Sequence, residues 1–217
     1  ISFEEFIIGF QDEIPESILK KADGGLALEN LTNTPELVCR NNLFASCRAR
    51  SVLISTPKRV FIENNIFESS GSAILVAGDA NYWYESGECH EVIIQNNVFT
   101  DHCLSSPYQF GEAIISICPE IPKPLTDVPF HKNITIQNNK FYSAENPVLY
   151  AFSTYGLRFS GNNIMKSYRT KPWHHRNYLY NLEYCSNVKI ENNTVTGSFD
   201  LEKINFTNCE NITFLEG

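Results

Sequence analysis

Short runs in which apolar and polar residues alternate recur along the chain, and each run leads into a pair of asparagines. Alternation with a period of two is typical of β-strands, because successive side chains of a strand point to opposite faces. The six copies read LVCRNNLF, VFIENNIF, VIIQNNVF, ITIQNNKF, LRFSGNNIM and VKIENNTV. The pattern predicts at least six similar strand segments and shows no helical periodicity.

The spacing of the copies predicts how the segments stack. With the second asparagine of each pair as a marker, the copies lie 23, 32, 42, 24 and 30 residues apart, so the bare coil has about 23 residues. Coils of this length with short β-branched strands are typical of a parallel β-helix. We therefore expect an all-β solenoid of about six coils. The markers are Asn42, Asn65, Asn97, Asn139, Asn163 and Asn193.

Two columns of stacked side chains are expected from this repeat. The marker asparagines are predicted to form a structural ladder of amide hydrogen bonds between coils, which lie about 4.8 Å apart. Two positions further on, an apolar column is predicted to lie inside the solenoid. Its members are Phe44, Phe67, Phe99, Phe141, Met165 and Val195.

A second apolar run in each coil predicts a second sheet and locates the insertions. These runs read SVLIST, SAILVAG, EAIISIC and PVLYAFS. We expect the extra residues of the two longest steps to follow SAILVAG and EAIISI, as DANYWYESGECHE and CPEIPKPLTDVPFHK. Both insertions would leave the same edge of one sheet in adjacent coils, and insertions gathered on one face of a solenoid usually build the binding face.

The first 32 residues do not fit the repeat. They lack the asparagine unit and contain charged turns and a Gly-Gly pair, so residues 1–32 are predicted to be the end of a preceding β module or a cap. Residues 33–217 are predicted to form the β-helix domain. The chain is interpreted as a piece of a longer protein.

The two insertions carry the candidate catalytic acids. Aligning AILVAGD with AIISICPE predicts Asp79 opposite Pro119, with Glu120 one residue further on. Side chains of adjacent coils would then lie about 5–10 Å apart, which is the range of paired glycosidase carboxylates. Glu85 is a third candidate in the same loop. Three acids in one cleft cannot all ionise comfortably, so one of them is expected to supply a proton.

Aromatic and basic residues near these acids suggest sugar binding. Trp83 lies in a run of three aromatic residues, of which at least one must face outward and offer a ring to the apolar face of a sugar. Arg48 and Arg50 lie in the preceding coil and could bond sugar hydroxyls. Pairing of these arginines with surface glutamates is an equally good interpretation.

Composition and charge narrow the classes of partner and ligand that this chain could bind. A net charge of −8 without a run of Lys or Arg argues against nucleic acid, and no apolar run approaches the roughly 20 residues of a membrane span. The seven cysteines contain no C-x-x-C pair and are predicted to be buried thiols. One or two disulfides are the alternative if the protein is exported. The pair His174 and His175 has no third ligand in sequence reach, so no metal is predicted.

Three motifs carry a family resemblance over about residues 28–165: CRARSVLISTP, RVFIENNIFESSGSAILVAGDANYWYESG and YQFGEAIISICPEIP. They resemble glycoside hydrolase family 110, bacterial exo-α-1,3-galactosidases that act on blood-group-B-type and related glycans. The resemblance implies a right-handed parallel β-helix, an inverting mechanism, no metal or cofactor, and release of terminal α-1,3-linked galactose. It implies an extracytoplasmic location, and a homodimer is possible. The family's acids map onto Asp79, Glu85 and Glu120.

Substrate contacts are expected from six residues: Arg48, Arg50, Asn81, Trp83, Gln109 and Glu112. Two other functions stay open. One is a β-helical polysaccharide hydrolase or lyase of another linkage, although a lyase would require a cluster of Asp residues for Ca²⁺ that the loops lack. The other is a non-catalytic, glycan-binding or adhesin-like β-helix.

Overall fold

The computed structural model describes residues 7–16, 28–79, 83, 85–103, 112–121, 129–144, 147–171, 178–199 and 202–216. The chain divides into two compact units, Ile1–Asn30 and Leu31–Gly217. No strand lies in the described part of the first unit. The interpretation of residues 1–32 as a cap or the end of another module therefore stays a prediction.

The second unit opens with a short 3₁₀ helix, Leu31–Asn33, and its described residues continue as 18 strands in three parallel stacks. The first stack contains β1 (Leu37–Arg40), β4 (Val60–Glu63), β7 (His90–Gln95), β10 (His131–Gln137), β13 (Thr154–Ser160), β16 (Ser186–Thr196) and β18 (Glu210–Glu216). The second contains β2 (Leu43–Cys47), β5 (Ile66–Ser69), β8 (Val98–Phe99), β11 (Lys140–Ser143) and β14 (Asn163–Lys166), with the end of β16. The third contains β3 (Val52–Ile54), β6 (Ile74–Val76), β9 (Ile115–Ile117), β12 (Leu149–Phe152), β15 (Tyr178–Glu183) and β17 (Glu202–Thr207).

This topology confirms the parallel β-helix. One strand from each stack makes a coil, so the described residues form six coils and begin a seventh at β18. The expectation of two sheets was incomplete, because the chain bends at each asparagine pair and the strands on its two sides belong to different stacks. β16 is a continuous strand across this bend, although Asn192 is left-handed (φ 57°) and the pairing with β18 shifts register there. It joins the first two stacks into one sheet of 12 strands.

The predicted phenylalanine column forms the centre of the core. Phe67, Phe99 and Phe141 are fully buried. Their rings stack with centroids 5.0 Å and 4.6 Å apart and within 9° of parallel, and Phe44 continues the stack at 5.0 Å. The short branched residues that alternate along the first stack, such as Val60 and Val92, fill the space around these rings.

The two asparagines of each pair have different tasks. The first adopts the left-handed conformation, with φ of 55° to 57° at Asn64 and Asn96, which turns the chain; asparagine tolerates this region better than most residues. The second forms the predicted ladder and is buried at Asn65, Asn97 and Asn139, whereas Asn42 in the first coil is exposed. At Asn97 the side-chain oxygen accepts bonds from both nitrogens of Asn65 (3.0 and 3.1 Å), while its amide donates to Asn139 (3.0 Å).

The fifth copy departs from the prediction by one residue. In SGNN, Gly161 takes the left-handed position (φ 65°), so the ladder residue is Asn162, which is 1% exposed, and not Asn163. The apolar column shifts with it: Ile164 pairs with Phe141 and is fully buried, whereas Met165 is only half-buried. The predicted assignments of Asn163 and Met165 to the two columns were therefore wrong.

The insertions are distributed differently from the expectation. The longest step contains two of them, one between Phe99 of β8 and Ile115 of β9 and one between Ile117 and His131 of β10. Only the second was assigned from the spacing. A further long connection joins β14 and β15, and it leaves from the same side of the third stack as the connection before β9.

All seven cysteines lie in the described part of the chain and are free thiols. Cys89, Cys103 and Cys185 are buried, and the other four are half-buried. The described residues contain no helix long and apolar enough to cross a membrane.

A candidate site beside the third stack

Asp79 and Glu120 face each other across two adjacent coils. They form a parallel β-bridge beyond the ends of β6 and β9, and the Glu120 amide donates to the Gly78 carbonyl at 2.8 Å. The prediction that these two insertions leave the same edge is confirmed. The expected alignment was one residue out, because Ile74 pairs with Ile115 and this register places Glu120, not Pro119, opposite Asp79.

Asp79 organises the loop that follows it. Its carboxylate oxygen Oδ2 accepts a hydrogen bond from the Trp83 amide at 2.7 Å. Its own amide donates to the Ser86 carbonyl at 2.9 Å, and its carbonyl accepts from the Glu85 amide at 3.0 Å. The side chain is buried at 2% exposure. A buried carboxylate needs such donors, so the loop closes around Asp79 and depends on it.

Gly78 is required by space at this edge. A Cβ atom at this residue would lie 2.5 Å from the Phe130 ring and 2.6 Å from the Gly87 carbonyl oxygen. Phe130 lies at the end of the second insertion, so the close approach at Gly78 packs the two insertions together. Any larger residue would push the loop away from Asp79.

The outer part of the site is formed by exposed residues. Glu85 and Glu120 are exposed, and Trp83 is 68% exposed although its backbone is bonded to Asp79. Trp83 was expected outside the core, beside Asp79 and Glu120. Its exposure and its bond to Asp79 agree with this expectation, while its position relative to Glu120 stays a prediction. An exposed indole next to carboxylates matches what sugar recognition requires, a flat apolar surface with polar groups close by.

The outward face of the third stack continues from this edge. One column of this face contains residues that pair with each other in successive strands and alternate with core residues along each strand. Its members are Leu75, Ser116, Tyr150, Asn181 and Asn205. The first four are at most 8% exposed despite facing outward. Glu112 and Ala113 shield part of this column from solvent. Their backbone amides donate to the Ser116 hydroxyl at 2.9 and 3.1 Å.

The charges of three glutamates act on one position of this face. Burial, and then the charges of Glu120, Glu112 and Glu183, raise the pKa of the Cys118 thiol to about 12. Glu183 lies level with Phe152, and Asn181 donates to its carboxylate at 3.3 Å. The Asn205 side-chain amide donates in turn to Asn181 at 2.9 Å, so Asn205, Asn181 and Glu183 form a short chain of hydrogen bonds across two adjacent coils.

Glu183 was missed from the sequence. The segment YLYNLEY was not aligned with the apolar runs of the other coils, because a long insertion precedes it. Its alternation would have placed Asn181 and Glu183 on the outward face, level with Tyr150 and Phe152.

Arg48 lies in a different place from the acids. It lines a groove at the corner between the second and third stacks, on the far side of the third stack from Asp79 and Glu120; the groove is also lined by Glu68, Ser70, Asp101, His102 and Arg169. Burial opposes ionisation of Asp101, but hydrogen bonds from Arg169 and Ser167 hold its pKa below the ordinary value.

The structure does not test the roles predicted for several other site residues. Arg50 is half-buried at the same corner as Arg48. Asn81 and Gln109 lie outside the described residues, as does the pair His174 and His175. Within the described ranges no group of three or more His, Cys, Asp or Glu side chains could hold a metal ion. The roles assigned to all these residues stay predictions.

Comparison with curated proteins supports the resemblance found in the motifs, although no family model matches the chain. Over 193 residues the chain is 50% identical to "Alpha-1,3-galactosidase B" of Bacteroides thetaiotaomicron, and over another 193 it is 42% identical to the protein of that name from Akkermansia muciniphila. It is 36% identical over 204 residues to "Alpha-1,3-galactosidase A" of Bacteroides fragilis. These matches cover 89%, 88% and 94% of the chain, but only 31%, 23% and 33% of the relatives. The chain thus spans about a third or less of their length.

Proposed function

We propose that this chain is part of an exo-α-1,3-galactosidase of glycoside hydrolase family 110, which removes terminal α-1,3-linked galactose from glycans by inversion. The observation that carries the proposal is the side-by-side placement of Asp79 and Glu120, in a chain whose similarity to proteins named α-1,3-galactosidase covers most of its length. The full enzyme requires more chain than this, since the relatives are about three times longer. An extracytoplasmic location belongs to the proposal, because such glycans lie outside the cell.

In this proposal the sugar lies against the exposed edge of the third stack. Trp83 offers its ring to the apolar face of the galactose, and Glu120 and Glu85 are the exposed acids within reach of the scissile bond. Inversion requires one acid to protonate the leaving oxygen and another to activate water from the opposite face. Glu183 and Glu112 are further carboxylates for the polar groups of the ligand, because Glu183 is bonded to Asn181 of the outward column and the Glu112 amide is bonded to Ser116 of the same column.

Asp79 has two possible tasks that one pair of variants separates. Asparagine keeps an oxygen that can accept the Trp83 amide but has no charge, whereas alanine loses both the acceptor and the charge. If Asp79 takes part in the chemistry, Asp79→Asn and Asp79→Ala both lower kcat by at least roughly 10²-fold, the usual scale for acid–base groups. If it only holds the loop, Asp79→Asn stays near wild type and Asp79→Ala loses activity.

The decisive experiment is galactose release from linear and fucosylated Galα1-3Gal acceptors by the full-length protein. Glu120→Gln and Glu183→Gln are expected to reduce release, while Glu210→Gln, an exposed glutamate on the first stack, serves as the matched control and leaves it unchanged. NMR of fresh product should show β-galactose first. Initial α-galactose would refute inversion. Binding of the glycan without any release would instead support the non-catalytic β-helix.

A further inference from the structure

The corner between the third and first stacks carries a column of side chains that the proposed function does not use. Each member lies at the start of a strand of the first stack, either as its first residue or directly before it. The members are Cys89, His131, Thr154, Cys185 and Cys209, in the segments CHEVII, HKNITI, TYGLRF, CSNVKI and CENITF. Neighbouring members lie in adjacent coils. The last two members place cysteine directly against cysteine.

The two thiols are in contact range. Ser186 pairs with Glu210, and the Glu210 amide donates to the Cys185 carbonyl at 3.0 Å, which places Cys185 level with Cys209. The Cys209 Sγ accepts a hydrogen bond from the Cys185 amide at 3.4 Å. Adjacent parallel strands lie about 4.8 Å apart, within the roughly 4.4–6.8 Å between Cα atoms that a disulfide spans.

The environments of the two thiols differ in the way a disulfide exchange needs. Cys185 is 1% exposed, and burial raises its pKa well above the ordinary value. Cys209 is half-buried, and the hydrogen bond from the Cys185 thiol, with further help from backbone amides, lowers its pKa to about 7 against the effect of burial. Cys209 is therefore the more accessible and more acidic thiol of the two, and Cys185 is the protected partner.

The other cysteines offer no comparable pair. Cys89, in the same column, has His131 as its neighbour, and the Cys89 backbone amide donates to His131 Nδ1 at 3.0 Å. Cys39 lies level with Ile62, and Cys47 lies level with Ser69. Cys185 and Cys209 are the one pair of cysteines that share a register position in adjacent coils.

We propose that Cys185 and Cys209 form a dithiol–disulfide couple that a low-molecular-weight disulfide such as glutathione disulfide oxidises to a bond between the last two coils. The Cys209 thiolate attacks one sulfur of the reagent, forms a mixed disulfide and releases one thiolate. The Cys185 thiol then loses its proton and attacks the Cys209 sulfur, which releases the second thiolate. Both protein thiols are oxidised, and one small disulfide is reduced to two thiols.

The test uses the full-length protein incubated with glutathione disulfide at pH 7, quenched with acid and mapped by peptide mass spectrometry. We expect the Cys185 and Cys209 peptides to be joined, with the loss of about 2 Da that one disulfide brings. Cys185→Ser should stop the reaction at one glutathione adduct on Cys209. Cys209→Ser should show neither product at this site, and Cys47→Ser, a half-buried control, should behave as wild type.

Three results would overturn the proposal, and none of them needs a variant. In the wild-type protein these are a stable glutathione adduct on Cys209 while Cys185 stays reduced, or no change at either residue under conditions that oxidise a free-thiol peptide. The third is a joined pair made of other cysteines. None of these outcomes bears on galactose release, so failure here is distinct from failure of the proposed function.

Discussion

The assignment of the fifth ladder position can be tested by two neighbouring substitutions. Asn162→Ala removes a buried amide that makes four hydrogen bonds: its oxygen accepts from both nitrogens of Asn139 (2.9 and 3.0 Å), and its amide donates to the Ile136 carbonyl and to Asn193 (both 3.1 Å). Asn163→Ala changes a half-buried residue of β14 whose side-chain oxygen has no partner among the described residues.

The expected magnitudes differ several-fold. A net hydrogen bond contributes about 1 kcal/mol, and a buried donor or acceptor left without a partner costs about 1–3 kcal/mol. Asn162→Ala leaves the Asn139 backbone amide and the Ile136 carbonyl without these side-chain bonds, so we expect a loss of roughly 3–5 kcal/mol in the free energy of unfolding. Asn163→Ala should stay within about 1 kcal/mol.

Thermal unfolding followed by circular dichroism measures the difference. For a chain of this size each kcal/mol moves Tm by about 2–4 °C, so Asn162→Ala should lower Tm by roughly 6–20 °C and Asn163→Ala by only a few degrees. Equal shifts, or a larger shift for Asn163→Ala, would show that the ladder does not pass through Asn162. The equivalent pair one coil earlier, Asn139→Ala and Lys140→Ala, provides an internal control with the regular spacing, because Lys140 pairs with Asn163.

Three further predictions follow from the core. Phe99→Ala should lower the free energy of unfolding by roughly 3–5 kcal/mol, whereas Tyr142→Ala, 39% exposed on the second stack, should cost much less. Burial lowers the pKa of His131 from 6.5 to about 3, so the unfolded chain binds a proton below pH 6.5 that the folded chain does not. Denaturant titrations should therefore show a loss of about 2 kcal/mol between pH 7 and pH 5 that His131→Gln removes; an unchanged pH dependence would contradict this. Gly71→Ala should destabilise strongly, because its Cβ would lie 1.6 Å from a backbone carbonyl oxygen, while Gly9→Ala meets nothing within 4 Å.

The repeat made the architecture predictable because it reports contacts directly. Residues that stack in adjacent coils must have similar size and polarity, so the column of Phe67, Phe99 and Phe141 could be read from spacing alone. The second stack was not predicted as a separate sheet, since only the two asparagines separate its strands from those of the first stack. Their left-handed conformation, seen at Asn64 and Asn96, turns the chain without interrupting the alternation of apolar residues.

Spacing fixes the length of a coil but not the point at which extra residues leave it. For this reason the two insertions on either side of β9 were taken as one, and the register at Asp79 was one residue out. Similarly, the left-handed position accepts glycine as well as asparagine, so Gly161 displaced the marker by one residue.

The same reasoning separates scaffold from site. A position that repeats in every coil is explained by stacking, as with the asparagine ladder, and needs no ligand to account for it. The outward column of the third stack changes from Leu75 through Ser116 and Tyr150 to Asn181, although its core-facing neighbours stay apolar. If this column served only to stack the coils, its residues would be expected to be as similar to one another as those of the core columns. The acids at Glu120 and Glu183 border this column, so the departures from the repeat, more than the repeat itself, support the position that we propose for the glycan.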